Sequence, residues 1–164
     1  MRIFIMLLLG AAMLFASDQQ NWSVSSPDNR LKIQVTLDGG RLYYSVIKDN
    51  DQVVAPSRLG LKLHKHMNLD DSLKFNNRYL SSLDTVWTTV WGENKTIKNR
   101  YNQISLSFDH KTGIKQALDF RAFDDGMAFR YRIPKQKGLK QFEIMDELTE
   151  FNIDTESEAW WIPA

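Results

Sequence analysis

The 164-residue chain has no cysteine. That absence removes disulfides, thiolate metal sites, thiol nucleophiles and the lipidated cysteine of a lipoprotein together. There is no surplus of charge either, since 21 Lys and Arg stand against 20 Asp and Glu. A nucleic-acid binder needs excess cations to neutralise phosphate, so no nucleic-acid partner is expected. No Gly-x-Ser-x-Gly, phosphate-binding glycine loop or dinucleotide fingerprint is present. With eight glycines, four prolines, 43% hydrophobic and 25% charged residues, the chain is neither collagenous, disordered nor of low complexity. One compact domain, or part of one, remains.

The only long apolar run comes first. Met1-Arg2 leads into Ile3 to Phe15, and Ala16-Ser17-Asp18-Gln19-Gln20 then turns polar. One cation, a short apolar core and a small exit residue are the layout of a secretory signal peptide. Its 13 residues fall short of the ~20 that span a bilayer. An uncleaved anchor is the competing reading. Residues 1–16 are therefore expected to be a signal peptide cleaved after Ala16 or Ser17, although Leu14 is not the small residue preferred three places before the cut. The mature chain from residue 17 carries 20 basic and 20 acidic groups. It is expected to be exported, in a bacterial periplasm, with no membrane contact after cleavage.

The rest alternates with period two. Leu31, Ile33, Val35 and Leu37 interleave with Lys32, Gln34 and Thr36, which gives one buried and one wet face. Asp38-Gly39-Gly40 supplies residues tolerant of positive φ, and alternation resumes at Leu42, Tyr44 and Val46, which is a hairpin signal. Asp49-Asn50-Asp51 makes a second turn before Val53-Val54. Leu59, Leu61 and Leu63 share a face, as do Ile104, Leu106 and Phe108. Asp109 to Gly113 is a loop, Leu118 and Phe120 belong to the next strand, and Asp124-Asp125-Gly126 turns the chain into Met127, Phe129, Tyr131 and Ile133. Asn68 to Leu83 reads as a loop or a short helix. No helical stripe, repeat or dividing linker follows the signal peptide. Eight or more short strands with turns every ten residues or so predict an all-β antiparallel β-sandwich. The apolar end, Trp160-Trp161-Ile162-Pro163-Ala164, reads as a chain stopped in mid-fold or as a last strand packed at an edge.

Several residue groups carry candidate chemistry. Trp87 and Trp91, four apart in an extended strand, would share a face ~13 Å apart. Flat indoles suit the C–H faces of sugar rings, with Glu93 accepting from hydroxyls; equally, both indoles can be core residues. His64 and His66 flank Lys65 and share a face, as a metal chelate or a solvated pair. Asp146, Glu147, Glu150, Asp154, Glu156 and Glu158 form an acidic run that lacks the central glycine of a hand-shaped calcium loop, and a solvated edge is its plain reading. Arg130 and Arg132 share a face, with Arg121 a candidate to stand across from them. They can grip an anionic or hydroxyl-rich ligand or form solvated cross-strand ion pairs with Asp119 and Asp124.

Four segments together resemble the N-terminal domain of glycoside hydrolase family 97, the bacterial α-glucosidases and α-galactosidases. They are Ser26-Pro27-Asp28-Asn29-Arg30-Leu31; Leu59-Gly60-Leu61; Val90-Trp91-Gly92-Glu93 with Arg100-Tyr101-Asn102; and, most specific, Phe120 to Tyr131, with its Phe123-Asp124-Asp125-Gly126 turn. Thr149-Glu150-Phe151-Asn152 and Trp160-Trp161 extend the likeness. The resemblance implies a galactose-mutarotase-like β-supersandwich that packs on a catalytic (β/α)₈ barrel, with calcium and carboxylates hydrolysing α-glucosides or α-galactosides, by inversion or by retention. The catalytic groups and most calcium ligands would lie on that barrel, and a further calcium-ligating glutamate of the N-terminal domain would lie beyond residue 164.

Residues 17–164 are accordingly expected to be a partial N-terminal β-sandwich domain with the barrel absent. No catalytic residue and no metal ligand is transferred to any position here. Ca²⁺ is expected in the intact enzyme and not fully bound by this chain. The expected partners are the barrel and, through the intact enzyme, an oligosaccharide; Trp91 and Glu93 are the expected pocket-side residues. The role is bracing the barrel and walling the sugar site, and the chain alone is expected to be inactive. The alternative is a free-standing periplasmic carbohydrate-binding module using exposed tryptophans. A third possibility is a periplasmic protein that pairs its sheet edge with a partner strand.

Overall fold

A computed structural model describes residues 19–64, 67–137, 139–153 and 157–158. The expected signal peptide and the Trp160-Trp161 end lie outside the described residues. All eleven elements among the described residues are strands: β1 (Gln20–Ser25), β2 (Leu31–Asp38), β3 (Arg41–Lys48), β4 (Asp51–Leu59), β5 (Leu61–Leu63), β6 (Met67–Asn68), β7 (Leu73–Thr88), β8 (Thr96–His110), β9 (Lys115–Phe123), β10 (Met127–Arg132) and β11 (Ile144–Glu147). They form antiparallel sheets in the orders β1-β2-β3-β4, β10-β9-β8-β7 and β11-β5-β6. No helix among the described residues is long and apolar enough to cross a membrane. The all-β antiparallel sandwich is thus the fold.

The turn chemistry explains the first sheet. Gly39 and Gly40 have φ of 54° and 79°, and Asp49 and Asn50 have 52° and 74°. Each pair closes a two-residue hairpin, Asp38↔Arg41 and Lys48↔Asp51, whose twist needs positive φ at both central positions. With the registers pinned, Leu31, Ile33, Val35, Leu37, Leu42, Tyr44 and Val46 all fall on one side. They meet Ile104, Leu106, Phe108, Leu118, Phe120 and Ala122 of the second sheet in one buried cluster. A smaller cluster joins Leu61 and Leu63 of the third sheet to Leu69 and Ile114, with Tyr131, Ile133 and Leu139 packed against it.

Two expectations are corrected. Asn68 to Leu83 is neither a loop nor a helix: after β6 and a short connection it is the first part of β7, a 16-residue strand. The strands are also not uniformly short, since β8 has 15 residues. β7 conceals its period because Arg78, Ser82 and Asp84 occupy the face that carries the core elsewhere. Opposite them in register stand Leu106, Asn102 and Arg100. A bulge at Asn76, between Phe75↔Phe108 and Asn77↔Ser107, shifts the alternation by one as well.

Candidate functional site

β9 covers β8 only from Tyr101 to Asp109. Beyond that point β7 and β8 continue as a two-stranded arm, Asp84↔Arg100 to Thr88↔Thr96. The arm closes through Thr89 N–H donating to Lys95 O at 3.0 Å and the Thr89 hydroxyl donating to Asn94 O at 2.8 Å, with Gly92 at φ 136°. Only glycine tolerates that backbone without strain.

This placement corrects two readings. Trp87 sits on β7 opposite Ile97, but the strand ends at Thr88 and Trp91 lies in the turn. The two indoles therefore do not share one strand face. Nor are they core residues: Trp87 is 53% exposed and Trp91 88%. Glu93 is exposed in the same turn. Val86, 61% exposed, lies on the face opposite Trp87, so the arm presents apolar surface on both sides. It carries two exposed indoles and an exposed carboxylate, groups suited to stacking and hydrogen bonding.

The arginine expectation holds in part. Across the β9–β10 pair, Arg130 Nε donates to Asp119 Oδ2 at 2.9 Å, and Arg132 Nη2 donates to Asp119 Oδ1 at 3.1 Å. The ion pairs are cross-strand, but their carboxylate is not solvated, because the Asp119 side chain is 3% exposed. Burial pushes its carboxyl up, yet hydrogen bonds from Arg132, Ser105 and Arg130 outweigh that and hold it below the usual range. Arg121 does not join them. Its Nε donates to Gln103 Oε1 at 2.7 Å and its guanidinium lies 4.3 Å from the Tyr101 ring centroid. Asp124 instead accepts from Asp28 N–H at 2.9 Å and lies 3.5 Å from Arg100.

His64 is exposed, with Nδ1 4.0 Å from Glu143 Oε2, and its expected companion His66 lies outside the described residues. Of the acidic run, Glu147 accepts from the Thr149 hydroxyl, and Glu150 accepts from Arg58 N–H. Asp146 and Glu147 are adjacent on β11 and so point to opposite sides. Asp154 and Glu156 lie outside the described residues. Among the described residues no three His, Asp or Glu side chains converge as a metal site.

Sequence reasoning missed one polar knot. Gly60 N–H donates to the Tyr131 hydroxyl at 2.8 Å, which also shares a hydrogen bond with Thr149 Oγ1 at 2.7 Å. Beside it Arg58 pairs with the buried Asp70. These partners lie 12 to 71 residues apart. The only sequence signal was Leu59-Gly60-Leu61, where a glycine interrupts a buried run.

The antiparallel sheets and their aromatic arm define an all-β sandwich domain. The family described as Glycosyl-hydrolase 97 N-terminal matches residues 24–164, and the chain belongs to it. It is 25% identical over 150 residues to a retaining alpha-galactosidase of Bacteroides thetaiotaomicron, covering 92% of this chain and 22% of that protein. A probable retaining alpha-galactosidase of Streptomyces bingchenggensis is 26% identical, with 96% of this chain and 25% of that protein covered. A glycoside hydrolase family 97 enzyme from Pseudoalteromonas sp. strain K8, solved in complex with panose, superposes with a TM-score of 0.79 at 35% identity; the match covers 87% of this chain and 22% of that one. A beta-arabinopyranosidase gives 0.76 at 25% identity, over 82% and 22%. The chain thus spans a quarter or less of the length of these relatives.

Proposed function

We propose that the chain is the N-terminal, non-catalytic part of an exported α-glycosidase acting on α-glucosides or α-galactosides. It braces a catalytic barrel and walls one side of the sugar site. What carries this reading is the family match over residues 24–164 together with relatives of which the chain spans only 22–25%. The leader over residues 1–16 supports export to the periplasm. The Pseudoalteromonas enzymes solved with panose and with acarbose support an oligosaccharide as the ligand of the whole enzyme. Trp91 and Glu93 are the pocket-side residues in this reading, because both stand exposed on an arm that projects past the sandwich. Any calcium requirement of the whole enzyme is assigned to residues outside this chain. The purified 164-residue product is expected to hydrolyse neither α-glucosides nor α-galactosides; measurable hydrolysis would overturn the proposal.

The open indoles of Trp87 and Trp91 favour one second reading, a free-standing carbohydrate-binding module. Titration with panose and malto-oligosaccharides, followed by tryptophan fluorescence, separates the two. Saturable binding that Trp91→Ala abolishes supports the module. Silence supports the domain of a larger enzyme.

A further inference from the structure

His110 ends β8 with its ring sealed inside the chain, the side chain being 3% exposed. Register puts it there. Phe108, two residues back, belongs to the main core, so His110 points inward as well. The turn to β9 closes on the same residue: His110 N–H donates to Ile114 O, and Gly113 N–H donates to His110 O, each at 2.8 Å. The ring is enclosed by this chain's own residues, so its surroundings do not depend on what covers the domain outside.

Two segments meet the ring, one at each nitrogen. Thr112, in the β8–β9 turn, donates its N–H to Nδ1 at 3.3 Å, and its hydroxyl lies 2.8 Å away. Nδ1 is thus an acceptor, and the ring proton sits on Nε2. Nε2 has no hydrogen-bond partner among the described residues. Asp71 Oδ1, in the connection from β6 to β7, stands 3.9 Å from it and 3.7 Å from Lys111 Nζ. That is too long for a hydrogen bond and close enough for charge to act. Asp71 stays ionised, because a Ser72 hydrogen bond holds its carboxyl below the usual range against burial, and Lys111, His110 and Arg41 add to this. Burial lowers the basicity of the ring most; Asp71 and Asp70 oppose that, and Lys111 adds to it. Lys74, Asp109 and Lys115, on β7, β8 and β9, pair in register on the opposite face.

The connection is itself tightly held. Ser72 has a left-handed φ of 52°, and Leu73 N–H donates to Gly40 O at 3.0 Å. Gly40 backs so closely onto it that a Cβ there would lie 3.0 Å from Ser72 N. A pull on Asp71 is therefore felt at the Gly39-Gly40 hairpin.

We propose that His110 is a proton-operated latch, fastening the Thr112 N–H when neutral and the Asp71 carboxylate when charged. In the imidazolium both nitrogens are donors. Nδ1–H keeps the Thr112 hydroxyl, which turns to accept, but it can no longer accept from the Thr112 N–H. Nε2–H meanwhile needs Asp71 Oδ1 to approach by only about 1 Å to form an ordinary hydrogen bond. The turn over residues 111–113 loosens, while the 70–72 connection and, through Leu73, the hairpin tighten. The exchange falls below the ordinary histidine value of about 6.5, because the ring is buried. It is independent of the readings of the tryptophan arm and of the whole enzyme.

The test follows the full chain by NMR between about pH 7.5 and 4.5, across the histidine range. Ring ¹⁵N shifts report an Nε2–H tautomer at the upper end and a charged ring at the lower. With the same midpoint, and after correction for intrinsic exchange, Thr112 amide protection falls several-fold, the scale of one lost hydrogen bond, and Leu73 protection rises. Asp71→Asn moves the midpoint to lower pH and abolishes the Leu73 gain while the Thr112 loss remains. Lys111→Gln, at an exposed position, moves the midpoint up. A ring that stays neutral down to acid unfolding overturns the proposal. So does a midpoint that neither variant moves, or amide protection that does not follow the ring.

Discussion

Trp22 and Phe75 stack with ring centroids 4.6 Å apart although they belong to edge strands of opposite sheets. Trp22 also meets Phe108 edge-on at 6.0 Å. The indole thus ties the two layers where the covering of β7 ends. Trp22→Ala is expected to cost about 3 kcal/mol, the low end for aromatic truncation because the ring is half-buried. Trp87→Ala and Trp91→Ala should stay within about 0.5 kcal/mol. Urea unfolding of the three variants checks the contrast, and an equal loss at Trp87 would mean that its ring is covered.

Asp119 ties Arg130 and Arg132 to β9 from a position almost closed to solvent. Its carboxyl is held below the ordinary value, so the charged form is favoured in the folded state. Its contribution to stability is complete above the unfolded value of about 3.9 and is lost as pH falls below that toward the lower folded value. Asp119→Asn should cost about 1–3 kcal/mol at neutral pH and flatten the acid limb of the stability curve below about pH 4. Denaturant midpoints measured from pH 2.5 to 7 decide it. An acid limb unchanged in the variant would place the titrating group elsewhere.

His110 has the opposite problem. Its side chain is 3% exposed; Nδ1 accepts from Thr112 N–H at 3.3 Å and lies 2.8 Å from the Thr112 hydroxyl. Nε2 therefore carries the proton, with no hydrogen-bond partner among the described residues, 3.9 Å from Asp71 Oδ1. Burial lowers its basicity most; the nearby Asp71 and Asp70 act the other way, and Lys111 adds to the lowering. Neutral histidine is favoured in the fold. Stability is therefore complete above about pH 6.5 and declines as pH falls from there toward the lower folded value. Protonated Nδ1 would also face the Thr112 N–H donor and loosen the β8–β9 turn. His110→Gln should remove the slope between about pH 5 and 7. A slope of equal size in the variant would exonerate the imidazole.

Much of the sandwich was legible because local chemistry dictated it. β2 and β3 alternate cleanly, and Gly39-Gly40 and Asp49-Asn50 supply the only backbone those tight hairpins accept. β7 was not legible, because a strand left uncovered on its inward face has no burial to print a period, and the Asn76 bulge resets what remains. The Trp87–Trp91 spacing misled for a related reason. Four residues share a face only while the strand lasts, and this one stops at Thr88. The burial of Asp119 was hidden because its cover is two arginines, residues read as solvated.

Gly60 is the position where one added carbon has the largest expected effect. A Cβ there would sit 2.4 Å from the Cβ of Asp70 and 3.2 Å from its Cα, a backbone neighbour that cannot swing aside. The same residue donates its N–H to Tyr131, whose hydroxyl burial pushes up to about 12 and keeps protonated across the working range. Gly60→Ala must therefore shift the connection between β6 and β7 or lose the hydrogen bond, at a cost of about 1–3 kcal/mol. Tyr131→Phe tests the second half alone. It leaves the Gly60 N–H and the Thr149 hydroxyl without that partner, and should cost about 1–3 kcal/mol while sparing the packing. Because the two act on one contact, the double variant should lose less than the sum of the singles in urea unfolding. Full additivity would mean that the glycine serves the Asp70 contact and the tyrosine serves something else.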